Sequence, residues 1–275
     1  MTSRVVVGFD GSPAAIAALR WAAAEARLRR AELQAYVVTR HDESDGADLR
    51  LPDGYPVPLR HRIGDTAACL GDVCGPGDVL VVGTRARSTL GALILGSVTR
   101  ACLAHSPCPV VTVRDQLPYA TRGWVVAGVR APGTARHTLT AAAEEARLRA
   151  SGLVAMHVQP PANVGADLFT AAENRLVEQS RAWLIRESAG TGVHAVPEVV
   201  VGSTAEALIH RSSHASLLVL GAHDSGISRG GAPGATILQC VRRASCPVMV
   251  VPAPPKPGER RRTHAGRRTA PGDQD

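Results

Sequence analysis

Short runs of β-branched and aliphatic residues recur along the chain without polar alternation, and helix-like stretches separate most of them. In the first half the predicted strands are Val5–Phe9, Leu33–Val38, Val57–Ile63, Val79–Val82 and Val110–Val113, and the last two are uninterrupted apolar runs. Continuous apolar strands are typical of a parallel sheet that is covered on both faces. The pattern therefore predicts an α/β fold with doubly wound parallel sheets.

Capping residues, prolines and glycines predict where the helices begin. Ser12 caps a helix whose first position is Pro13 and which runs to about Arg30. A short helix is expected over Asp65–Cys74, and another opens at Gly96–Ser97. Residues 41–56 are polar, rich in Pro and Gly, and show no helical periodicity, so no helix is predicted there.

The stretch from residue 78 to residue 114 has the outline of a phosphate site. A buried strand ends at Gly83, where a glycine lets the backbone approach a ligand closely. A helix then begins at Ser97, and its first N–H groups favour anions. Strand, glycine loop and helix start follow one another in the order that phosphate binding requires.

The spacing Gly83-x2-Ala86-x9-Gly96-Ser97 resembles the nucleotide signature of the universal stress protein family, Gly-x2-Gly-x9-Gly followed by Ser or Thr. The segment from residue 6 to residue 12, VVGFDGS, is similar to the first strand and acidic turn of that family. Ala86 is a departure, because the family has its second glycine there. We expect this alanine to weaken the site without abolishing it.

The second half repeats the first. The segment EARLR at 25–29 recurs at 145–149, and Gly8 and Gly128 share the same offset of 120 residues. Beyond the second strand the offset becomes 138, which relates Gly83 to Gly221 and Gly96 to Gly234. The additional residues fall in 166–189, where an amphipathic helix is predicted. A repeat of this length indicates tandem domains: 1–114, a linker at 115–122, and 123–252.

The resemblance implies that each domain has a five-stranded parallel sheet of strand order 3-2-1-4-5, flanked by helices. It implies an ATP-binding stress or dormancy regulator, with Mg²⁺ as a possible companion of ATP, that is not an enzyme. In this family the last strands of two domains often pair across a twofold axis. We therefore expect the two domains of this chain to form a pseudo-twofold pair. The sequence leaves open whether the chain also forms a homodimer.

The resemblance also implies which residues bind the nucleotide. The nucleoside end would be lined by Gly8, Phe9, Asp10 and Val37. The phosphates would be surrounded by Gly83, Thr84, Arg85, Ala86, Arg87, Gly96, Ser97 and Val98. Asp10 could meet ribose hydroxyls or Mg²⁺, or it could only hold the turn before the helix. Arg85 and Arg87 could contact phosphate or remain solvated loop charges.

The second copy differs at the positions that carry this chemistry. Asp10 corresponds to Arg130, Ala86 to Asp224 and Ser97 to Ala235. An aspartate near phosphates adds repulsion, and an alanine removes a hydroxyl donor. Arg130 would partly offset this by attracting phosphate, so the second site is left open. We expect about one ATP per chain.

Charge and cysteine content restrict the class further. The formal net charge is +7, and the Pro- and Arg-rich tail from residue 253 to residue 275 contributes to it. This tail has no apolar periodicity and no aromatic residue, so we expect it to be disordered and specific nucleic-acid binding to be absent. No apolar run is long enough to span a membrane. The six cysteines lack metal-site spacing and are interpreted as reduced core residues of a cytoplasmic protein.

No catalytic residue and no metal ligand is assigned. The ten histidines are scattered and form no metalloprotease or nucleophile motif, and His157 lies in an apolar strand as a packed residue would. Two alternatives to an ATP-binding regulator stay open. One is an interaction scaffold of the same fold that binds no nucleotide, and the other is a slow ATPase or nucleotide-dependent enzyme.

Overall fold

The computed structural model describes residues 3–40, 49–50, 56–84, 95–115, 123–161, 169–222 and 232–253, without the side chains of 49–50 and 169–172. The predicted linker, apart from residue 115, and nearly all of the predicted tail lie outside these residues. So do Arg85, Ala86, Arg87 and Asp224.

The first half alternates strands and helices in the order that the apolar runs predict. Its strands are β1 (Arg4–Gly8), β2 (Glu32–Thr39), β3 (Leu49–Arg50), β4 (Pro56–Val57), β5 (Leu59–Ile63), β6 (Val79–Thr84) and β7 (Val110–Arg114). Its helices are α1 (Pro13–Arg29), α2 (Thr66–Val73) and α3 (Ser97–His105).

The second half has the same order with one more helix. Its strands are β8 (Trp124–Val129), β9 (Leu153–Gln159), β10 (Ala195–Val201), β11 (Ala215–Gly221) and β12 (Val248–Val251). Its helices are α4 (Ala135–Leu148), α5 (Phe169–Ala189), α6 (Thr204–Ser212) and α7 (Ala235–Arg243). The additional helix is α5, which confirms the helix predicted within 166–189.

In the described residues ten strands form one sheet, in the order β10-β9-β8-β11-β12-β7-β6-β1-β2-β5. Within each half the neighbouring strands are parallel and follow the predicted order 3-2-1-4-5. The registers repeat as well: Val5 pairs with Leu33 in the first half, and Val125 pairs with Leu153 in the second. Residues related by the sequence offset of 120 therefore hold equivalent positions in the two halves of the sheet.

The two halves join through their last strands. β7 and β12 pair antiparallel, with Val111 opposite Met249 and Val110 opposite Val250. Val111 and Met249 are equivalent positions of the repeat, so a pseudo-twofold axis passes between them. This confirms the expected pairing of the terminal strands, which would otherwise be exposed apolar edges.

The third strand of the first half is shorter than predicted. The sequence predicts one strand over Val57–Ile63, whereas only Leu59–Ile63 joins the main sheet. Pro56 and Val57 pair instead with 49–50 in a separate two-stranded ribbon. Pro58 lies between the two strands and has no N–H to donate, which makes a continuous ladder unfavourable at this point.

The ends of α1 follow the predicted chemistry. Ser12 Oγ accepts a hydrogen bond from the Ala15 N–H at 3.2 Å, and Pro13 occupies the first turn. The helix ends at Arg30, which adopts a left-handed conformation with φ 51°. Ala150, its equivalent in the repeat, has φ 47°. The same uncommon backbone conformation therefore ends the corresponding helix in both halves.

Two apolar layers cover the sheet, and each contains residues from both halves. One layer contains the inward faces of α1, α4 and part of α5, and the other contains residues of α2, α3, α6 and α7. All six cysteines have free thiols. Burial raises the pKa of Cys102, Cys240 and Cys246 to about 12, so these thiols stay protonated and act as small core side chains.

Candidate functional site

A cavity of about 690 Å³ lies at the carboxyl ends of β1, β2 and β6 in the first half. Open α/β sheets bind ligands at this edge, where the strand order reverses. Eight of the residues predicted from the sequence line it: Gly8, Phe9, Asp10, Gly83, Thr84, Gly96, Ser97 and Val98. The cavity thus brings together both predicted ends of the site, the acidic turn and the helix start.

Val37 does not line this cavity. Its neighbours Tyr36 and Val38 do, because successive side chains of a strand point to opposite faces of the sheet. Besides Tyr36, the sequence missed three residues with hydroxyl groups at the starts of α1, α2 and α3, namely Ser12, Thr66 and Thr99. Helix starts face this edge of the sheet, so the hydroxyl residues at the cap and in the first turn of the predicted helices are a signal that could have found them.

Asp10 is exposed at the mouth of the cavity, directly after β1. Its Oδ1 accepts a hydrogen bond from the Ser12 N–H at 3.0 Å. This bond holds the turn before α1, while Ser12 itself caps the helix. Asp10 therefore has the predicted turn role, and it also places a carboxylate at the cavity.

The start of α3 presents backbone N–H donors at the cavity. Gly96 is the N-cap, and no side chain caps this helix end. The first intrahelical bond runs from the Arg100 N–H to the Gly96 carbonyl at 3.1 Å, so the N–H groups of Ser97, Val98 and Thr99 precede the helical ladder. The Ser97 side chain is exposed beside them. Such a helix start favours an anion.

The two glycines of the motif have different structural reasons. A Cβ at Gly83 would lie 2.4 Å from the Ala14 carbonyl oxygen, so glycine there permits the close approach of α1 to β6. This packing is a reason for glycine that the sequence does not indicate, and Gly83 also lines the cavity. A Cβ at Gly96 would meet no described atom within 4 Å, and its φ is −58°. Neither packing nor backbone conformation requires glycine at 96, and the space beside it opens into the cavity.

A second cavity, of about 550 Å³, lies at the equivalent edge of the second half. Arg130 and Ala235 line it, at the positions that Asp10 and Ser97 hold in the first cavity. His157 also lines it. Its Nδ1 lies 3.1 Å from the Val129 carbonyl oxygen, and its ring meets Trp183 edge-on at 5.2 Å, as a packed core residue would.

The described residues contain no cluster of three or more His, Cys, Asp or Glu side chains placed to hold a metal ion. Among the described helices, none has both the length and the apolar character that a membrane span needs.

These features define a tandem, doubly wound α/β protein with a cleft at the carboxyl edge of each half. The model of the universal stress protein family matches residues 1–62, 76–114 and 124–252. The chain therefore belongs to the universal stress protein family, as the glycine motif and the acidic turn predict.

Relatives agree with this assignment, and a solved structure has the same fold. A universal stress protein of Mycobacterium tuberculosis H37Rv is 28% identical over 280 residues, covering 86% of this chain and 93% of the relative. A universal stress protein of Mycolicibacterium smegmatis is 28% identical over 284 residues, covering 90% and 96%. The crystal structure of a universal stress protein from Archaeoglobus fulgidus superposes with a TM-score of 0.65 at 18% identity, covering 92% of this chain and 99% of that one.

Proposed function

We propose that the first half binds an adenine nucleotide, with ATP as the ligand, and that the protein acts as a stress or dormancy regulator through nucleotide-dependent conformation or interaction. The observation that carries the proposal is that one cavity is lined both by the uncapped start of α3 and by the Asp10 carboxylate. Its volume lies in the range of small-molecule sites, about 300–1,000 Å³.

The phosphates would bind at the start of α3. The N–H groups of Ser97 and Val98 and the Ser97 hydroxyl are donors, and the helix dipole favours negative charge at this end. Gly96 leaves space beside them. This arrangement supports binding of a chain of phosphate groups more than binding of a neutral ligand.

Asp10 would serve the sugar end of the nucleotide or a bound Mg²⁺. A carboxylate accepts hydrogen bonds from ribose hydroxyls, and Mg²⁺ is commonly held by one or two carboxylates together with substrate phosphates. Asp10 fits either role because it is exposed in the same cavity as the helix start. The aromatic rings of Phe9 and Tyr36 line the remaining wall and suit a planar base.

We propose a binding protein and not an enzyme. Among the described residues lining the first cavity, Asp10 is the one ionisable group besides Tyr36, and Tyr36 Oη donates to Gln34 at 3.0 Å. Rapid phosphoryl transfer requires a positioned base or water-orienting group and a cation at the transferred phosphate. A turnover above background that disappears in Asp10→Ala would contradict this part of the proposal. We place the function in the cytoplasm, where free thiols such as the six here persist.

The experiment is mass spectrometry of the nucleotide released from purified, heat-denatured protein, followed by titration of the stripped protein with Mg-ATP. We expect ATP or a related adenine nucleotide in the released fraction. Ser97→Ala should weaken ATP binding about ten-fold, the effect of one charge-assisted hydrogen bond. Thr236→Val, at the equivalent helix start of the second half, should leave ATP binding unchanged. If no nucleotide is released and none binds, the scaffold alternative replaces the proposal.

A further inference from the structure

Two buried thiols of the first half, those of Cys74 and Cys108, lie in contact. Cys74 is the C-cap of α2, and Cys108 stands two residues before β7. Their side chains form a hydrogen bond, and both belong to the apolar layer that contains residues of α2, α3, α6 and α7. Ser106 Oγ lies 3.4 Å from Cys108 Sγ. Both thiols are free, so the fold brings two reduced sulfur atoms together without joining them.

Backbone contacts around Asp78 explain why these two segments meet. Asp78 Oδ2 accepts a hydrogen bond from the Gly75 N–H at 2.8 Å, so the chain that leaves α2 is anchored to the residue before β6. The parallel pairing of β6 with β7 brings Cys108 to the same end of the sheet, since the Leu80 N–H donates to the Pro109 carbonyl at 2.9 Å. The contact between the thiols is therefore fixed by the backbone on both sides.

The second half contains the same contact with different chemistry. Ser212 and Cys246 are the equivalents of the two cysteines at the offset of 138 residues. Ser212 Oγ accepts a hydrogen bond from the N–H of Ser245, the residue before Cys246, at 2.8 Å. In the first half Pro107 replaces Ser245 and has no N–H to donate to Cys74. The repeat thus places the same two positions side by side twice, but the first half alone has a thiol at both.

The contact gives the two thiols different acidities. The hydrogen bond from Cys74 lowers the pKa of the Cys108 thiol and outweighs the burial that would raise it. The same hydrogen bond, together with burial, raises the pKa of Cys74. The thiolate is the form of cysteine that reacts with oxidants. Cys108 is therefore the more reactive thiol of the pair, and Cys74 lies where a second thiol is needed to convert an oxidised cysteine into a disulfide.

We propose that Cys74 and Cys108 form a reversible disulfide bond when a peroxide oxidises the protein, which links the end of α2 to the start of β7. Disulfides in the cytosol are usually transient and redox-sensing, and a reversible bond of this kind agrees with the free thiols of the resting protein. The inference is independent of nucleotide binding by the first half.

Hydrogen peroxide takes up the two electrons of this oxidation. The Cys108 thiolate attacks one peroxide oxygen, the O–O bond breaks and hydroxide leaves, so Cys108 becomes a sulfenic acid. The Cys74 sulfur then attacks the Cys108 sulfur, the S–S bond forms, and the sulfenic oxygen leaves as water with the proton of Cys74. Together with the proton that Cys108 gave up, two thiols and one hydrogen peroxide yield one disulfide and two water molecules.

Local opening of α2 gives the oxidant access to the pair. In the closed fold Cys74 is 7% exposed and Cys108 is 0% exposed, so direct attack is slow. Of the eight residues of α2, Leu70 alone is buried. A short helix with so little buried surface opens at a lower free-energy cost than the strands beneath it. The disulfide therefore forms without unfolding of the whole chain.

The experiment treats the full chain with hydrogen peroxide under native conditions, blocks the remaining thiols with N-ethylmaleimide in urea, and maps the peptides by mass spectrometry without reduction. We expect a cross-linked peptide pair that contains Cys74 and Cys108 and is lighter by about 2 Da, the two hydrogen atoms lost on oxidation. Dithiothreitol should separate the two peptides. In the same sample Cys246 should carry the thiol label, because its partner position is Ser212.

Two variants assign the cross-link. Cys74→Ser introduces the residue that the second half has at this position, so it should fold as the wild type does and lose the cross-link. The matched control is Cys102→Ser, which removes another buried thiol of the first half from α3. This control should leave the bond between Cys74 and Cys108 unchanged.

Other results overturn the proposal. A cross-link that persists in Cys74→Ser, or that joins Cys108 to Cys102, would show that the contact between the two thiols does not direct the oxidation. The proposal also fails if Cys108 stays a thiol, or is oxidised to sulfinic acid without a disulfide, at a peroxide concentration that cross-links the urea-unfolded chain.

Discussion

The guanidinium of Arg149 donates to the Glu25 carboxylate across the contact between the two halves, with Nη2 and Oε2 2.5 Å apart. The network is closed by Arg29, which donates from Nε to Glu25 at 2.7 Å and also reaches Glu145. Arg149 in turn donates to Glu145. Two arginines and two glutamates, equivalent in the repeat, thus bridge α1 and α4 near their carboxyl ends.

This four-residue cluster is nearly removed from water. The side chains of Glu25 and Glu145 are 1% and 4% exposed, and that of Arg149 is 8% exposed. Arg149 also lies over the Trp21 ring, 5.9 Å from its centre. Buried charges are tolerated when each is paired, and removing one partner leaves an uncompensated charge in the interior. The cluster therefore fixes how the two halves meet.

We predict that Arg149→Met lowers the free energy of unfolding by about 3–5 kcal/mol, because it leaves two buried carboxylates with one cation. Urea denaturation followed by circular dichroism measures this. The matched control is Arg243→Met, which breaks the exposed pair with Glu206. The control should leave unfolding nearly unchanged, since exposed ion pairs are screened by solvent. Equal effects of the two substitutions would contradict the structural role of the cluster.

A second prediction concerns pH and the pair between Arg4 and Asp78. Burial raises the pKa of Asp78, but hydrogen bonds from the Arg4 side chain at 2.5 Å and from the backbone N–H groups of Gly75 and Arg4 outweigh it, so the net pKa lies below its usual value. A lowered carboxyl pKa stabilises the fold above about pH 4, the ordinary value, and this contribution is lost as pH falls through the lowered pKa.

The expected result is a difference in unfolding midpoint between wild type and Asp78→Asn at pH 7 that shrinks as the pH falls below about 4. Urea midpoints at a series of pH values measure it. A midpoint difference that stays constant down to the lowest pH would show that the ionised carboxylate contributes nothing.

A third prediction separates the two glycines of the motif. Gly83→Ala should destabilise the fold by about 3 kcal/mol, because the new methyl group would meet the backbone of Ala14. Gly96→Ala should cost less than about 1 kcal/mol of stability, the usual difference at an N-cap, yet reduce ATP affinity. Thermal unfolding and ATP titration of both variants test this. Loss of stability in Gly96→Ala comparable to that in Gly83→Ala would contradict the structural reasons given for the two positions.

Much of the fold follows from the sequence because the inner strands, such as β1, β6 and β11, are buried along most of their length. Such strands are continuous apolar runs, and their order is repeated in the second half with the same register. The differences between the predicted and the observed fold are confined to single elements. The sequence over 57–63 does not reveal that Pro58 divides the predicted strand, since a proline can also stand at the edge of a strand.

The site was less predictable than the fold. Tyr36, Val37 and Val38 are all apolar or amphipathic, so the pattern cannot tell which of them faces the cavity. The sequence suggests a ligand role for Gly83, and only the coordinates show that glycine is also needed for the packing of α1 against β6. The repeat EARLR indicates duplication, but the meeting of Glu25 with Arg149 depends on the pairing of β7 with β12.

The two cavities of one chain differ at the positions of Asp10 and Ser97, and we predict that the first cavity alone binds ATP. Calorimetric titration of the wild-type chain with Mg-ATP at one fixed salt concentration tests this most directly, because phosphate contacts are screened by salt. We predict one ATP per chain, with affinity weakened about ten-fold by Asp10→Ala and left unchanged by Thr236→Val. Two equal ATP sites per chain, or an affinity indifferent to Asp10, would contradict the account.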